Sequence, residues 1–222
     1  MNYIAVIPVR EGSSRVKDKN FRNFYKGKSL LALKIEQIKA CSSFDEIVVA
    51  SNSLKAKAIA KQFGIRFISR SDYMCNEARL HEYTLDIISH FSADDVVAWT
   101  MVTNPFFTRY DEVIDTYKKK VFESGAYDSV VTTVPYNDFL LDEKGRCINF
   151  NPGPWHKFTQ ELPSWDQITG AAYIAEVEKQ REVKYWMGIS PYRFKVSKKE
   201  AIEIDYLDDF EIAQHVAPGT LK

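Results

Sequence analysis

Ile4-Ala5-Val6-Ile7-Pro8-Val9-Arg10-Glu11-Gly12-Ser13-Ser14-Arg15-Val16-Lys17-Asp18-Lys19-Asn20 decides how this chain is read. From Tyr3 to Val9 almost every side chain is apolar, as a strand covered on both faces requires. The polarity then inverts, and Arg10 to Asn20 reads as a loop leaving the carboxyl end of that strand. Gly12 and the serines let the backbone turn its N–H groups toward one point, while Arg10, Arg15 and Lys19 add positive charge. Converging amides with two or three cations suit a triphosphate. The plainer alternative is a solvated loop with scattered basic residues, and its position after a buried strand counts against that.

Working outward, apolar runs and amphipathic stretches alternate. Ser29 caps a helical pattern carrying Leu30, Leu33, Ile35 and Ile38. Strand-like runs follow at Glu46 to Ala50, Ile65 to Ser69, Val96 to Val102 and Ser129 to Val134. Helical periods lie between them at Lys55 to Phe63, Arg79 to Phe91 and Asp111 to Phe122. This spacing of βαβ units predicts an α/β fold with a mostly parallel sheet, whose ligands sit at the carboxyl ends of the strands. The alternation stops after Val134. Residues 135–168 hold four of the eight prolines together with Trp155 and Trp165, and read as an insertion suited to a subunit contact or a substrate wall. Thr169 to Ala175 resumes as a strand, and Ile202 to Ile204 leads into a final helix near Asp208 to Gln214. The 222 residues are expected to form one domain.

Composition narrows the function classes. Thirty basic side chains balance thirty acidic ones, so no net field favours nucleic acid or an anionic membrane as partner. Cys41, Cys75 and Cys147 are too few and too far apart for a disulfide framework or a zinc site, and read as free thiols of a soluble cytoplasmic protein. The four histidines are scattered. Gly27-Lys28-Ser29 imitates the end of a P-loop, but residue 22 is Arg where that motif needs Gly, so Ser29 is better explained as a helix cap. Near the other end, Glu203 and Asp205 would share one face of a strand and could converge on a hard cation. Asp208 and Asp209, at the start of the last helix, read as capping residues.

The opening strand and loop resemble the IPxRxGSxRxxxKN signature of the CMP-sugar synthetases, cytidylyltransferases that activate sialic acids, their bacterial relatives and octulosonate. Gly27 to Leu30, Thr103 to Phe106, Gln160 to Pro163 and Ala201 to Ala213 resemble four further segments of that family in its order, so the resemblance spans nearly the whole chain. It implies a Rossmann-like nucleotidyltransferase that dimerises through an inserted segment, here within 135–168. It also implies CTP and an acidic acceptor as substrates. Arg10, Gly12, Ser13, Arg15, Lys19 and Asn20, with Arg70, would hold the nucleotide, and Lys19, Arg10 and Arg15 would carry catalysis. Asp205, joined by Glu203, would bind Mg²⁺, although oxygen ligands suit Mn²⁺ as well. Met101, Thr103, Gln160 and Thr169 would meet the substrate. This sequence departs from the sialate pattern at Ser14 (for Lys), Met101 (for Gln), Thr169 (for Asn) and Glu203 (for Asp), which leaves the acceptor open. A nucleotidyltransferase for another acidic or phosphorylated small molecule, and a nucleotide-binding regulator without activity, are the competing readings.

Overall fold

A computed structural model describes residues 1–13 and 15–221. In chain order the elements are β1 (Tyr3–Pro8), β2 (Asn23–Tyr25), β3 (Lys28–Ser29), α1 (Leu30–Lys39), β4 (Glu46–Ser51), α2 (Leu54–Phe63), β5 (Arg66–Ser69), α3 (Asp72–Asn76) and α4 (Leu80–Ile88). Then come β6 (Val96–Trp99), α5 (Tyr110–Tyr117), β7 (Ser129–Tyr136), β8 (Trp165–Glu176), α6 (Val177–Val183), β9 (Pro191–Lys195) and α7 (Leu207–Val216). Seven strands form one sheet in the order β5-β4-β1-β6-β8-β7-β9.

The pleat of β1 explains its apolar run. Ile4 and Val6 enter one buried cluster with Ile87 and Ile88 of α4, while Ala5 and Ile7 enter another with residues of α1, α2, α5 and α7. A strand with a core on each face has no polar side. Local signals fix the helix ends. The Ser29 hydroxyl accepts from Ala32 N at 3.2 Å and caps α1, and Gly64 ends α2 in the left-handed region at φ +67°. The P-loop look-alike lies in the hairpin of β2 and β3, where Lys26 and Gly27 both have positive φ. Such a pair matches the twist of a two-residue turn.

β4 and β6 both pair with β1 in parallel, on opposite sides. The chain moves outward from β1 through β4 to β5, then returns through α3 and α4 to β6. Loops leaving β1 and β6 therefore diverge, and the crevice between them is the topological switch point.

The second half of the chain adds detail to the sequence reading and, for the segment of Glu203 and Asp205, corrects it. Thr169 to Ala175 belongs to a strand that begins earlier, at Trp165, and runs antiparallel to both β6 and β7. Ile202 to Ile204 forms no strand: one main-chain bond, from Ile204 N to the Thr103 carbonyl, attaches it to the loop after β6. Residues 135–168 contribute sheet at both ends, since Pro135 and Tyr136 pair with Asp166 and Trp165. Between those ends lie irregular backbone, a short helical turn at Thr159–Glu161 and a single bridge between Leu141 and Cys147. Trp155 and Phe158 are exposed there.

Candidate active site

A cavity of about 190 Å³ opens at the switch point, lined by Pro8, Arg10, Ser13, Arg15, Lys19, Asn20, Met101, Val102 and Thr103. The sheet topology thus brings the loop after β1 against the loop after β6. Gly12 turns its loop at φ +87°, a conformation open to glycine. Asn20 is buried and donates through Nδ2 to the Arg10 carbonyl at 3.3 Å, so it braces the loop from beneath. Ser14 lies outside the described residues.

Lys19 reaches under this cavity to the far end of the chain. Its Nζ donates to the Ile204 carbonyl at 2.6 Å and stands 3.6 Å from Asp205 Oδ1. Burial lowers the Lys19 amine below its ordinary range, with the Asp205 charge opposing. Arg15 Nη2 meets Asp205 Oδ1 at 3.0 Å, and its guanidinium lies over the Tyr206 ring at 4.9 Å. Arg15, Lys19 and Asp205 therefore form one charged cluster across about two hundred residues of sequence, while Arg10 lines the same cavity and turns its guanidinium to Asn76 Oδ1 at 3.4 Å.

Glu203 stands beside them, accepting from Thr103 Oγ1 at 3.3 Å. Its carboxyl is raised, first by burial and then by the Asp205 charge. Two neighbouring carboxylates of which one is held up in this way are oxygen donors that a hard cation would relieve, so the pair fits Mg²⁺. No group of three or more His, Cys, Asp or Glu close enough to hold a metal occurs among the described residues. Asp209 instead accepts from Asp205 N and Tyr206 N through Oδ2, capping α7 as expected.

Arg70 lies elsewhere. It is buried, with Nε on Asp86 at 3.1 Å, Nη2 on the Met74 carbonyl at 2.6 Å and its guanidinium 4.2 Å from the Tyr83 ring centroid. Together with Arg10, Tyr83, Cys75 and Trp186 it lines a second cavity of about 420 Å³ that shares Pro8 and Arg10 with the first. Gln160 is exposed in the short turn at Thr159–Glu161 and lines neither cavity. The Thr169 hydroxyl bonds Thr132 Oγ1 at 2.8 Å inside the sheet, where the β7–β8 register shifts. The next residue, Gly170, is the one that approaches Glu203. A glycine inside an apolar strand marks close approach, and that signal could have found it. Tyr83 and Trp186 carried no such signal.

A loop carrying three cations at the switch point of a mixed sheet, two of them on Asp205, is the arrangement expected of an α/β nucleotidyltransferase. The cytidylyltransferase family profile matches residues 4–140, and the chain belongs to that family. It is 26% identical over 218 residues to an N-acylneuraminate cytidylyltransferase of Escherichia coli, covering 95% of this chain and 51% of that protein. It is 24% identical over 226 residues to a pseudaminic acid cytidylyltransferase of Campylobacter jejuni, covering 96% of this chain and 95% of the relative. The chain thus spans about half the length of the first relative and nearly all of the second. Its fold is similar to that of CMP:2-keto-3-deoxy-manno-octonic acid synthetase complexed with CTP, with a TM-score of 0.71, 13% identity and both chains covered in full. It is similar also to the 2-C-methyl-D-erythritol 4-phosphate cytidylyltransferase of Francisella tularensis, with a TM-score of 0.64, 18% identity and coverage of 97% and 99%. No helix among the described residues is long and apolar enough to cross a membrane.

Proposed function

We propose that this chain transfers CMP from CTP to the anomeric hydroxyl of a sialic-acid-like 3-deoxy-2-ulosonic acid and releases pyrophosphate. The observation that carries this reading is that Arg10, Arg15 and Lys19 line one cavity, with Arg15 and Lys19 held on Asp205 and Glu203 bonded to Thr103 of the same cavity wall. The names of the curated relatives, each a cytidylyltransferase for a sugar acid, support it.

In the reaction the acceptor oxygen forms a bond to the α-phosphorus in line with the breaking bond to the β-phosphate. The hydroxyl proton leaves to solvent or a nearby base, and pyrophosphate departs. Charge builds on the α-phosphoryl and leaving-group oxygens, and stabilising it is the main task in such transfers. The loop at Gly12 and Ser13, with Arg10 and Arg15, would hold the triphosphate. Lys19, fixed from behind by the Ile204 carbonyl, would present its amine to the reacting phosphate. Asp205 and Glu203 would hold Mg²⁺, or Mn²⁺ in its place; bound there, it supplies positive charge to the phosphates. The larger cavity, with Tyr83 and Trp186 on its wall and Arg10 and Arg70 at its edge, suits a nucleoside. Met101 and Thr103 would border the acceptor. The exposed aromatic residues within 135–168 suit a homodimer contact, and the reading places the enzyme in the cytoplasm.

The test is pyrophosphate release from each of the four nucleoside triphosphates with Mg²⁺, against eight- and nine-carbon 3-deoxy-2-ulosonic acids, with products weighed by mass spectrometry. Release with CTP and one acid, giving a CMP adduct, is the expected result. CTP binding without release would move the acceptor outside this class, and no CTP binding would refute the proposal.

A further inference from the structure

Helix α1 buries Leu30, Leu31, Leu33, Ile35 and Ile38, as its spacing predicts, but it also buries a lysine. Lys34 is 0% exposed. Its Nζ donates to the Asn104 carbonyl at 2.9 Å and to Tyr110 Oη at 2.7 Å, and among the described residues it has no carboxylate partner. Taking an amine out of water to meet two neutral oxygens is costly, and burial pushes this amine down to about 7. Leu or Met would fill the same volume without that cost. What the amine holds is therefore the point of interest.

It holds the loop after β6. Asn104 follows Thr103, which lines the phosphate cavity. One turn further along α1, Gln37 Nε2 donates to the Pro105 carbonyl at 2.6 Å, so two side chains of one helix grip consecutive carbonyls. The gripped turn holds the acidic segment in its turn. Asn104 Nδ2 donates to the Ile202 carbonyl at 3.2 Å, Ile204 N donates to the Thr103 carbonyl at 2.9 Å, and Thr103 Oγ1 donates to Glu203. A series of hydrogen bonds thus runs from the buried face of α1 to the Glu203 carboxylate and to the backbone at Ile204 that carries Asp205.

We propose that Lys34, assisted by Gln37, is a positioning residue that tethers the Thr103–Pro105 turn and through it fixes Glu203 and Asp205 in the active site. Its catalytic consequence rests on the function proposed above; the tether itself does not.

The test compares the full wild-type chain with Lys34→Met, which keeps the unbranched stem and nearly the volume of the side chain and removes its donors. Amide hydrogen exchange should become about tenfold faster in residues 103–106 and 202–205, with the central strands unchanged. In turnover with CTP and the acceptor that supports it, kcat should fall about 10–100-fold while KM for CTP holds. Half-saturation by Mg²⁺ should rise about tenfold. Unchanged exchange in both segments overturns the proposal, and so does exchange that rises throughout the chain in step with a lower Tm. Should Lys34→Met fail to fold, Gln37→Leu is read in the same way, and unchanged exchange there overturns the tether. Faster local exchange in a protein whose wild type turns over no acceptor would leave the tether standing and refute the assigned reaction instead.

Discussion

Replacing Gly170 by Ala adds one methyl group at the most crowded point behind the site. An ideal Cβ there falls 2.6 Å from Asn104 Oδ1 and 2.9 Å from Glu203 Oε1. Ordinary contact requires each oxygen to retreat by roughly 0.5–1 Å. Asn104 has little room, because it is fully buried, its Nδ2 is bonded to the Ile202 carbonyl and its own carbonyl is held by Lys34. The Asn104 contact therefore stays strained, while Glu203 can yield by giving up its bond from Thr103. The backbone at 170 is outside the left-handed region, so crowding is the whole cause. Overpacking of this kind costs about 1–3 kcal/mol. Turnover should fall further, about 10–100-fold, since the displaced group is a candidate metal ligand. Urea unfolding followed by tryptophan fluorescence gives the first number, and CTP-dependent pyrophosphate release the second. Glu203→Asp in the same background withdraws the carboxylate by one methylene and should recover part of both losses, a coupling of about 0.5–3 kcal/mol. Strict additivity of the two changes, or wild-type stability and turnover in Gly170→Ala, would refute this account of the glycine.

Two other outcomes follow from the buried amines. Because Lys34 is lowered to about 7 from an ordinary 10.5, the unfolded chain binds its proton across that window while the folded chain does not. Stability should rise with pH there, and Lys34→Met should remove about 1–2 kcal/mol of the rise between roughly pH 7.5 and 9 in paired urea titrations. Equal slopes in the two proteins would show that the amine is not held neutral. Lys19→Ala loses one hydrogen bond to a carbonyl but also a buried amine, so stability should change by less than about 1.5 kcal/mol. Turnover should drop by about two orders of magnitude or more; a variant with normal turnover would remove Lys19 from the mechanism.

Much of the molecule was legible because its signals are local. The apolar run of β1, the polar loop behind it, the Ser29 cap and the helical periods of α1, α2, α4 and α5 all depend on neighbours a few residues away, where periodicity is physically expressed. The loop cations were legible for the same reason, since a buried parallel strand dictates where its loop emerges. Other features answer to partners that no local pattern contains. Whether β8 runs with or against β6 is set by its place in the sheet, and an apolar run reads alike in either direction. Glu203 and Asp205 were expected on a strand, yet it is the loop after β6 and the amine of Lys19, not strand pairing, that hold their backbone beside the loop cations. Arg70 was expected at the nucleotide, but which cavity it lines is set by an ion pair with Asp86 on α4, which fixes it beside the second one. Lys34 gave no warning, because a lysine in a helix is ordinarily solvated and its burial depends on packing beneath a turn seventy residues away. The sequence by itself determined the α/β class and the place and charge of the loop after β1, since both are written in short-range order. Tertiary structure alone decided which carboxylates face that loop and what holds them there, because those contacts join segments that only folding brings together.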